Sequence, residues 1–267
     1  MSIKNKTKTF KMPQLQKIGT DMLRQVAQIC EEENINYCLF FGSMLGAVRH
    51  HGPIPWDYDI DIAVHENDMD RFIDVMEKRL PKDYWVDFRS KYDTPKCFAR
   101  IGRRGFDTFS LHIDVYRMVG FPDSIRKSKV IVKCGRLLLE MRLVKDANLA
   151  YYKGKKKFLI RIYRILLLPV RSDVIVKLFD ALCKRYPYEK MNKVGLNACK
   201  LGIKYLYDKR MIDDTILVDY EDFKVRIPRE YDAILRDIFG NYMQFPDKKQ
   251  IEDAMNRDYI LHTINMS

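Results

Sequence analysis

The spacing of apolar positions near the start of the chain predicts two amphipathic helices. The first runs from Met12 to Glu33, because its apolar residues recur at the period of an α-helix. These apolar positions are Leu15, Ile18, Met22, Val26 and Ile29. The second helix is predicted from Asn67 to Leu80, with Asn67 as its N-cap.

The segment between these helices predicts two strands joined through a short helix and a loop. The apolar run Tyr37–Phe41, closed by Gly42, is typical of a buried strand. A short helix is expected at Ser43–Arg49, and the following residues to Trp56 form a loop because they include a glycine and two prolines. Asp59–Val64 alternates acidic and apolar residues, which predicts a half-buried strand.

The rest of the chain adds further strands and a long helical region, so the expected fold class is α+β. A hairpin turn is predicted at Gly102–Gly105, and residues 130–200 are helical, basic and aliphatic in pattern. The other predicted elements are the strands Tyr84–Phe88, Cys97–Ile101, Thr108–Val119 and Phe223–Ile227 and the helix Glu230–Phe239. We expect a core sheet with flanking helices in residues 1–125, a basic helical region in 126–210, and a C-terminal strand and helix packing on the core in 211–267.

Composition narrows the class of protein. The 267 residues suit one large or two small domains, and 47% hydrophobic content is enough for a core. No apolar stretch reaches the roughly 18–20 residues that span a bilayer. The basic N-terminus lacks the apolar segment of a secretion signal, and the six scattered cysteines form no zinc or disulfide framework. A cytoplasmic protein is therefore expected.

The positive charge is concentrated in one segment. The net charge is +12, and residues 126–171 alone hold 14 Lys and Arg against two acids. Within them, Lys153–Arg171 joins a lysine cluster to the mostly apolar run Phe158–Leu168, which is too short to cross a membrane. Two alternatives stay open: the segment lies at the inner face of the cell membrane, or Leu166–Leu168 pack in a helical core while the lysines are solvated.

Candidate chemistry centres on aspartates at alternate positions. Asp59 and Asp61 point to one face of their strand, and Asp57 shares their parity if the chain is already extended there. Asp114 lies on the polar face of a later strand, so the acids converge if the two strands are neighbours. Converging carboxylates are costly without a cation, and Mg²⁺ prefers oxygen ligands. We therefore predict a magnesium (or manganese) site formed by Asp59, Asp61 and Asp114.

The pattern of residues around these acids resembles a known superfamily. A strand ending in Gly42-Ser43, then Asp-x-Asp on the next strand and a third acid later, resembles the nucleotidyltransferases related to polymerase β. Within them, GSMLGAVRHHGPIPWDYDIDIA (42–63) is similar to the signature of the LicD family of phosphocholine transferases and fukutin relatives. HIDVYRMVG (112–120) and YEDFKVRIPREYDAILRDIFGNYMQFP (220–246) resemble later family segments. Tyr58 stands where the family usually has Asp, Ser43 replaces Thr, and Asn241 replaces Asp.

The resemblance implies an activity. LicD-type enzymes pass a phosphoalcohol, such as phosphocholine, from a CDP-alcohol to a sugar hydroxyl of a cell-surface glycan precursor, which can be lipid-linked, and release CMP. It implies that Asp59 and Asp61 hold Mg²⁺ against the diphosphate. Asp114 is a further ligand or the general base, and Asp57 is the other candidate for that base. The resemblance does not decide whether the alcohol is choline or ribitol, and it leaves the acceptor and the oligomeric state open. No nucleic-acid partner is expected.

The resemblance also places substrate-binding residues around the acids. Amides near Gly42 and the Ser43 hydroxyl would hold a phosphate. Arg49 and His50 would stabilise phosphate charge, although a salt bridge from Arg49 to Asp57 or Asp61 is equally compatible. Trp56 and Tyr58 would offer aromatic faces to choline or else anchor the loop. Arg100 is a phosphate contact or a solvated surface charge.

Two other functions fit the same residues. One is a nucleotidyltransferase that moves NMP from an NTP to a small molecule or an RNA end. The other is an inactive basic module that binds RNA or membranes. The retention of all three predicted ligands argues against the inactive module.

Overall fold

The structure is a computed structural model that describes residues 5–87, 99–104, 106, 111–146, 149, 153–197, 205–257 and 259–264. The helices are α1 (Met12–Glu32), α2 (Phe41–His50), α3 (Met69–Arg79), α4 (Ile125–Asp146), α5 (Gly154–Leu166), α6 (Ser172–Cys183), α7 (Lys209–Asp213), α8 (Tyr231–Phe239) and α9 (Lys248–Asn256). The strands are β1 (Asn5–Phe10), β2 (Tyr37–Leu39), β3 (Ile60–His65), β4 (Tyr84–Asp87), β5 (Ala99–Arg103), β6 (His112–Phe121), β7 (Lys193–Leu196), β8 (Tyr207–Asp208), β9 (Thr215–Tyr220), β10 (Phe223–Pro228) and β11 (Tyr259–Ile264).

A central mixed sheet is built around β6. One edge of β6 pairs with β3, and the other edge pairs first with β5 and then with β7. The β3–β6 pair is parallel, whereas β2–β3, β4–β5, β5–β6, β6–β7 and β7–β8 are antiparallel. The fold is therefore α+β, as predicted. Because β7 and β8 come from the second of the three predicted segments, that segment also contributes to the sheet.

Among the described residues, the two largest apolar cores include strands of this sheet. The larger core contains the apolar stripe of α1, with Leu15, Met22 and Val26 fully buried, together with the apolar residues of α3 and of the central strands. The smaller core lies where the end of β6 meets α4 and α6. Its central residues are Val119, Phe121, Val132, Leu139, Val176 and Phe179. The basic helices are thus attached to the far end of β6.

Most predicted elements are present, with shifted boundaries. The first helix matches its prediction closely, and the predicted strands from Tyr37 to Val119 correspond to β2, β3, β4, β5 and β6. Gly102 and Arg103 lie within β5, so the predicted hairpin turn is wrong at these two residues. Asn67 is not the N-cap of α3, because a 3-10 helix, Glu66–Asp68, precedes it. Cys97 and Gly105 lie outside the described residues.

The start of α2 differs most from the prediction. Gly42 was expected to close a strand, but β2 ends at Leu39 and α2 begins at Phe41. Phe41 has a φ of 47°, a left-handed backbone that bulky residues rarely adopt. This conformation turns the chain directly from the strand into the helix, so Gly42 and Ser43 lie in the first helical turn.

Candidate active site

The acidic residues come together at the start of two parallel strands. Asp61 on β3 is directly opposite Asp114 on β6, and side chains opposite one another in a parallel pair project from the same face. The prediction that these two strands are neighbours is thus confirmed. Asp59 immediately precedes β3 and is exposed, and Asp57 is half-buried in the loop before it.

The same row of the sheet continues across two more strands. Arg100 on β5 is directly opposite Asp114, and Asp87 on β4 is directly opposite Arg100. Asp87 is fully buried. No role is predicted for Asp87 from the sequence, although an acid at the end of the apolar strand YWVD is an available signal. Four charged residues therefore lie in one line, with Arg100 between two acids.

Asp114 is held by Arg100 and His112. The Arg100 Nε donates a hydrogen bond to Asp114 Oδ1 at 2.8 Å, and His112 Nε2 lies 3.2 Å from the same oxygen. Arg100 is only 2% exposed, so the alternative of a solvated surface charge is wrong. Breaking such a buried pair on one side is costly, because the remaining charge is left without compensation. Arg100 is thus tied to the predicted third ligand.

The surroundings of Asp61 disfavour its ionised form. Burial, followed by the nearby charge of Asp114, raises the pKa of Asp61 to about 8. Tyr116 Oη donates a hydrogen bond to Asp61 Oδ1 at 3.0 Å, which opposes that rise. Tyr116 is two residues beyond Asp114 on the same strand face, so strand alternation is a signal for its position, although no role is predicted for it from the sequence. A cation at Asp61 would favour its ionised form.

Ser43 links α2 to the start of β3. Its hydroxyl accepts a hydrogen bond from the Asp61 amide at 2.9 Å and donates one to the Asp59 carbonyl at 3.4 Å. These bonds hold the backbone on both sides of Ile60. The hydroxyl that was expected to hold a phosphate therefore positions the two acids.

Gly42 brings the amino end of α2 close to Asp57. A Cβ added at Gly42 would lie 3.3 Å from Asp57 Oδ2, a distance tighter than ordinary contact. The first turn of a helix leaves amide N–H groups without helical partners, and these favour anions. Because Gly42 has no side chain, the Asp57 carboxyl and the anion-binding amides at the start of α2 can lie close together.

The loop before β3 is anchored by a residue far away in the sequence. The Gln16 side-chain amide on α1 donates to the carbonyls of Ile54 and Asp57 at 2.7 and 2.9 Å. No role is predicted for Gln16 from the sequence. Its position on the polar side of an amphipathic helix carries no signal of this contact, which depends on how α1 packs.

Arg49, His50 and Trp56 form a cluster with the C-terminal segment. Arg49 Nη1 donates to the carbonyls of Tyr242 and Gln244 at 2.5 and 3.4 Å, and it makes no ion pair with any described acid. Its guanidinium lies 4.8 Å from the ring centre of Phe245. His50 accepts a bond from Arg49 Nε, and burial, then Arg49, lower the pKa of His50.

Trp56 and Tyr58 differ in their surroundings. Trp56 makes a T-shaped contact with His50 and a tilted contact with Phe245, and Arg49 lies over it at 5.6 Å, so one of its neighbours is already a cation. Tyr58 pairs with Tyr259 at 5.4 Å, close to Asp57 and Asp59. Phe245 and Tyr259 were not predicted. The Phe245 signal is its place in the closing segment YMQFP.

The acids offer hard oxygen donors of the kind that Mg²⁺ uses. Among the described residues, no group of three or more His, Cys, Asp or Glu side chains is arranged to hold a metal ion by itself. Mg²⁺ is commonly held by one or two carboxylates together with substrate phosphates. The exposed Asp59 and the incompletely compensated Asp61 fit that pattern, with Asp114 beside them on the sheet.

Comparisons with known proteins find matches in the family that the acidic motif resembles. A family model described as LicD/FKTN/FKRP, nucleotidyltransferase domain, matches residues 34–133. The chain is 24% identical to the lipopolysaccharide cholinephosphotransferase LicD of Haemophilus influenzae over 95% of this chain and 100% of that protein. It is 44% identical to the human ribitol 5-phosphate transferase FKRP over 46 residues, which are 17% of this chain and 9% of that protein. A Rickettsia typhi protein is 32% identical over 34% of this chain and 28% of its own length.

Proposed function

We propose that the chain is a phosphotransferase, because a family model described as LicD/FKTN/FKRP, nucleotidyltransferase domain, matches residues 34–133. It moves a phosphoalcohol from a CDP-alcohol to a sugar hydroxyl of a glycan precursor and releases CMP. The observation that carries this proposal is the pairing of Asp61 with Asp114 on parallel strands, with Asp59 and the amino end of α2 beside them. Such a site is suited to a diphosphate and to the charge that develops during phosphoryl transfer.

Phosphocholine is the preferred cargo. The similarity to the lipopolysaccharide cholinephosphotransferase extends over nearly the whole chain, whereas the similarity to the ribitol 5-phosphate transferase covers 46 residues. The Tyr58–Tyr259 pair lies beside two acids, and a quaternary ammonium is attracted both by aromatic faces and by negative charge. Tyr58 is better placed for this role than Trp56, which already has the Arg49 guanidinium beside it.

The reaction is an in-line displacement at phosphorus. A base takes the proton of the acceptor hydroxyl, the resulting oxygen attacks the phosphorus that carries the alcohol, and the bond to the CMP oxygen breaks so that CMP leaves with the electron pair. Asp114 Oδ1 already has Arg100 and His112 as partners, so Asp57 is the better candidate for the base. Asp59 and Asp61 would hold Mg²⁺, which when bound neutralises diphosphate charge.

The amino end of α2 orients the donor in this proposal. Its free amides would bind a phosphate oxygen, while Ser43 keeps the backbone of both acids in place. Gln16 holds the carbonyl of Asp57 and so limits movement of the loop that carries the base. Positioning of this kind accounts for most of the catalysis in phosphoryl transfer.

The first test is release of CMP from CDP-choline in the presence of Mg²⁺. We expect Asp59→Ala and Asp61→Ala to lower the rate at least about a hundredfold, because each removes charge stabilisation at the reacting phosphate. Asp74→Ala is the matched control, since Asp74 is an exposed acid on α3. Equal rates in all variants would contradict the proposed site.

A donor panel separates the proposed activity from its alternatives. CDP-ribitol and CDP-glycerol test the alcohol, and NTPs test a nucleotidyltransferase that transfers NMP and releases pyrophosphate. A ligand that binds only the folded protein raises its melting temperature, so thermal shifts report donor binding without the acceptor. No shift with any nucleotide would favour a binding module without this activity.

A further inference from the structure

Helix α5 and the turn after it expose a continuous apolar surface. Most of their apolar side chains face solvent, with exposed fractions from 39% for Ile162 to 71% for Leu168. We call this set the α5 apolar face. Its members are Phe158, Leu159, Ile162, Tyr163, Ile165, Leu166 and Leu168. The interpretation in which Leu166 and Leu168 pack in a helical core is therefore wrong.

The helix is fixed to the body of the protein from its other side. Ile160 is the buried residue of α5. Arg164 Nε donates to the Lys145 carbonyl at 2.7 Å, and Lys145 Nζ donates to the Leu167 carbonyl at 2.9 Å. These bonds join the end of α5 to the end of α4. They hold the α5 apolar face outward, so its exposure follows from how the helix is attached.

Cationic residues border this face on both sides. At 100° per residue, Phe158, Ile162 and Leu166 form one stripe, and Arg161 and Lys156 lie at its two edges. Lys155 lies near the start of the stripe, and it is exposed like Arg161. Residues 126–171 carry 14 Lys and Arg against two acids, so the charge near the face is strongly positive.

We propose that the α5 apolar face docks the protein on an anionic phospholipid surface. An apolar stripe bordered by Lys and Arg is the pattern of a helix that lies in the membrane interface, with its side chains among the acyl chains and its cations at the headgroups. None of the described helices is long and apolar enough to cross a bilayer. RNA would satisfy the cations but leave the exposed Ile and Leu side chains in water.

Sedimentation of the full chain with phospholipid vesicles tests this proposal. We expect binding to an equal mixture of phosphatidylglycerol and phosphatidylcholine, little binding to phosphatidylcholine alone, and weakening by salt. The variant Phe158→Ser/Ile162→Ser/Leu166→Ser should lower the vesicle partition at least about a hundredfold, because three large apolar side chains are lost from the interface. Neutralising Lys155 and Arg161 with Gln should lower it roughly fivefold per charge.

Matched controls keep the result specific. Leu217→Ser/Phe239→Ser/Met255→Ser replaces three exposed apolar residues elsewhere, and Lys82→Gln/Lys248→Gln removes two exposed charges. Both controls should bind vesicles like the wild type. In Tyr163→Trp, the tryptophan emission should shift to the blue when anionic vesicles are added.

Three outcomes would overturn the proposal. Equal binding to neutral and anionic vesicles would contradict the role of charge. Equal losses in the test and control variants would show that the face is not the binding surface. A dimer that is lost in the Phe158/Ile162/Leu166 variant, together with no vesicle binding, would identify a second copy of the chain as the occupant. None of these measurements depends on transferase activity, so they are independent of the proposed function.

Discussion

At the scale of single residues, the acidic site depends on atoms that several segments supply to Asp61. Its amide is held by Ser43, its carboxyl receives the Tyr116 hydroxyl, and its neighbour across the strand pair is Asp114. Tyr116 is itself positioned by an edge-to-face contact with Phe41 at 5.5 Å. The left-handed backbone of Phe41 therefore lies beside the site, because the Phe41 ring contacts Tyr116, which in turn donates to Asp61.

The variant Tyr116→Phe tests this arrangement. It removes one hydrogen bond to Asp61 and keeps the ring on Phe41, so CMP release should fall by roughly 10–100-fold, as expected for a bond to a charged group. Tyr207→Phe removes a hydroxyl bonded to Asp237 outside the site and is the control. Similar rates in the two variants would argue that the Tyr116 hydroxyl has no part in the reaction.

The acids could be predicted from the sequence, but the supporting residues from distant segments could not. Strand alternation alone places Asp61 and Asp114 on polar faces, and their convergence needs only that the strands be neighbours. Gln16 and Phe245 reach the site from segments whose packing depends on loop geometry. For Arg100, a solvated position at the surface is compatible with the sequence, because an isolated arginine in a strand gives no information about its burial.

At the scale of elements, β6 connects the acidic site to the basic helices. Its first half carries Asp114, and Arg117 further along donates to Asp180 on α6 at 2.8 Å. Arg117 also contacts Glu66 in the 3-10 helix after β3 at 3.5 Å. One buried guanidinium thus joins β6, the end of β3 and α6. Glu66 and Asp180 share that cation, but the electrostatic surroundings of their two carboxyl groups differ.

Glu66 makes stability depend on pH. Burial raises the pKa of Glu66 from its usual 4.5 to about 7, although Arg117 opposes the rise. A carboxyl whose pKa is higher in the folded state stabilises the fold below about 4.5, and this contribution is lost as the pH rises through about 7. In Glu66→Gln that loss is absent. The variant should therefore gain stability relative to wild type between these pH values, by up to roughly 3 kcal/mol.

Urea unfolding at a series of pH values measures this difference. Glu230→Gln, at an exposed position, is the control and should show no comparable pH dependence relative to wild type. A constant difference between Glu66→Gln and wild type from pH 4.5 to 7 would contradict the raised pKa of Glu66.

The packing between β4 and β5 depends on a glycine at position 102. Trp85 is directly opposite Gly102, and a Cβ added at Gly102 would lie 2.0 Å from the indole ring. Gly102→Ala should therefore lower the free energy of unfolding by roughly 2–3 kcal/mol through overpacking. Trp85→Phe/Gly102→Ala should be more stable than the sum of the two single changes predicts, because the smaller ring leaves space. Strict additivity in urea unfolding would contradict the proposed clash.

Sequence patterns predict the boundaries of helices and strands less accurately than their presence. The apolar run Tyr37–Phe41 predicts a strand for its whole length, yet Phe41 begins α2. Periodicity does not distinguish the last residues of a buried strand from the first turn of a buried helix. The decisive feature is a positive φ at Phe41, which a bulky residue gives no reason to expect.

At the scale of the whole molecule, the C-terminal segments return to the start of the chain. β11 pairs with β1, and Arg226 on β10 binds both carboxyl oxygens of Glu31 on α1 at 2.6 and 2.7 Å. Arg49 holds the segment after α8, and the Glu221 amide donates to the His51 carbonyl. The surroundings of the acidic site are therefore completed by residues some 200 positions later in the sequence.

The variant Arg49→Met tests the importance of this closure. Methionine keeps an apolar stem against Trp56 and Phe245 but loses the bonds to two carbonyls. Amide hydrogen exchange in residues 241–246 should become at least about tenfold faster, since a bond to a charged donor contributes about 1.5–3 kcal/mol. Arg24→Met, which removes a cation from Phe223 and Asp222, should leave that exchange unchanged. Unchanged exchange in both variants would mean that other contacts, such as Tyr242 with Asp232, hold the segment.

The alignment of Asp61 with Asp114 also has a consequence for how the chain finds its fold. Because side chains alternate along a strand, sliding β3 by one residue against β6 would move the carboxyl of Asp61 to the side that now holds Ile60 and Ile62. An unpaired carboxylate among apolar side chains is strongly unfavourable. The acids therefore exclude the slipped pairing while the sheet assembles. Leucine at both positions would remove this penalty and leave less to distinguish the correct alignment from its neighbours.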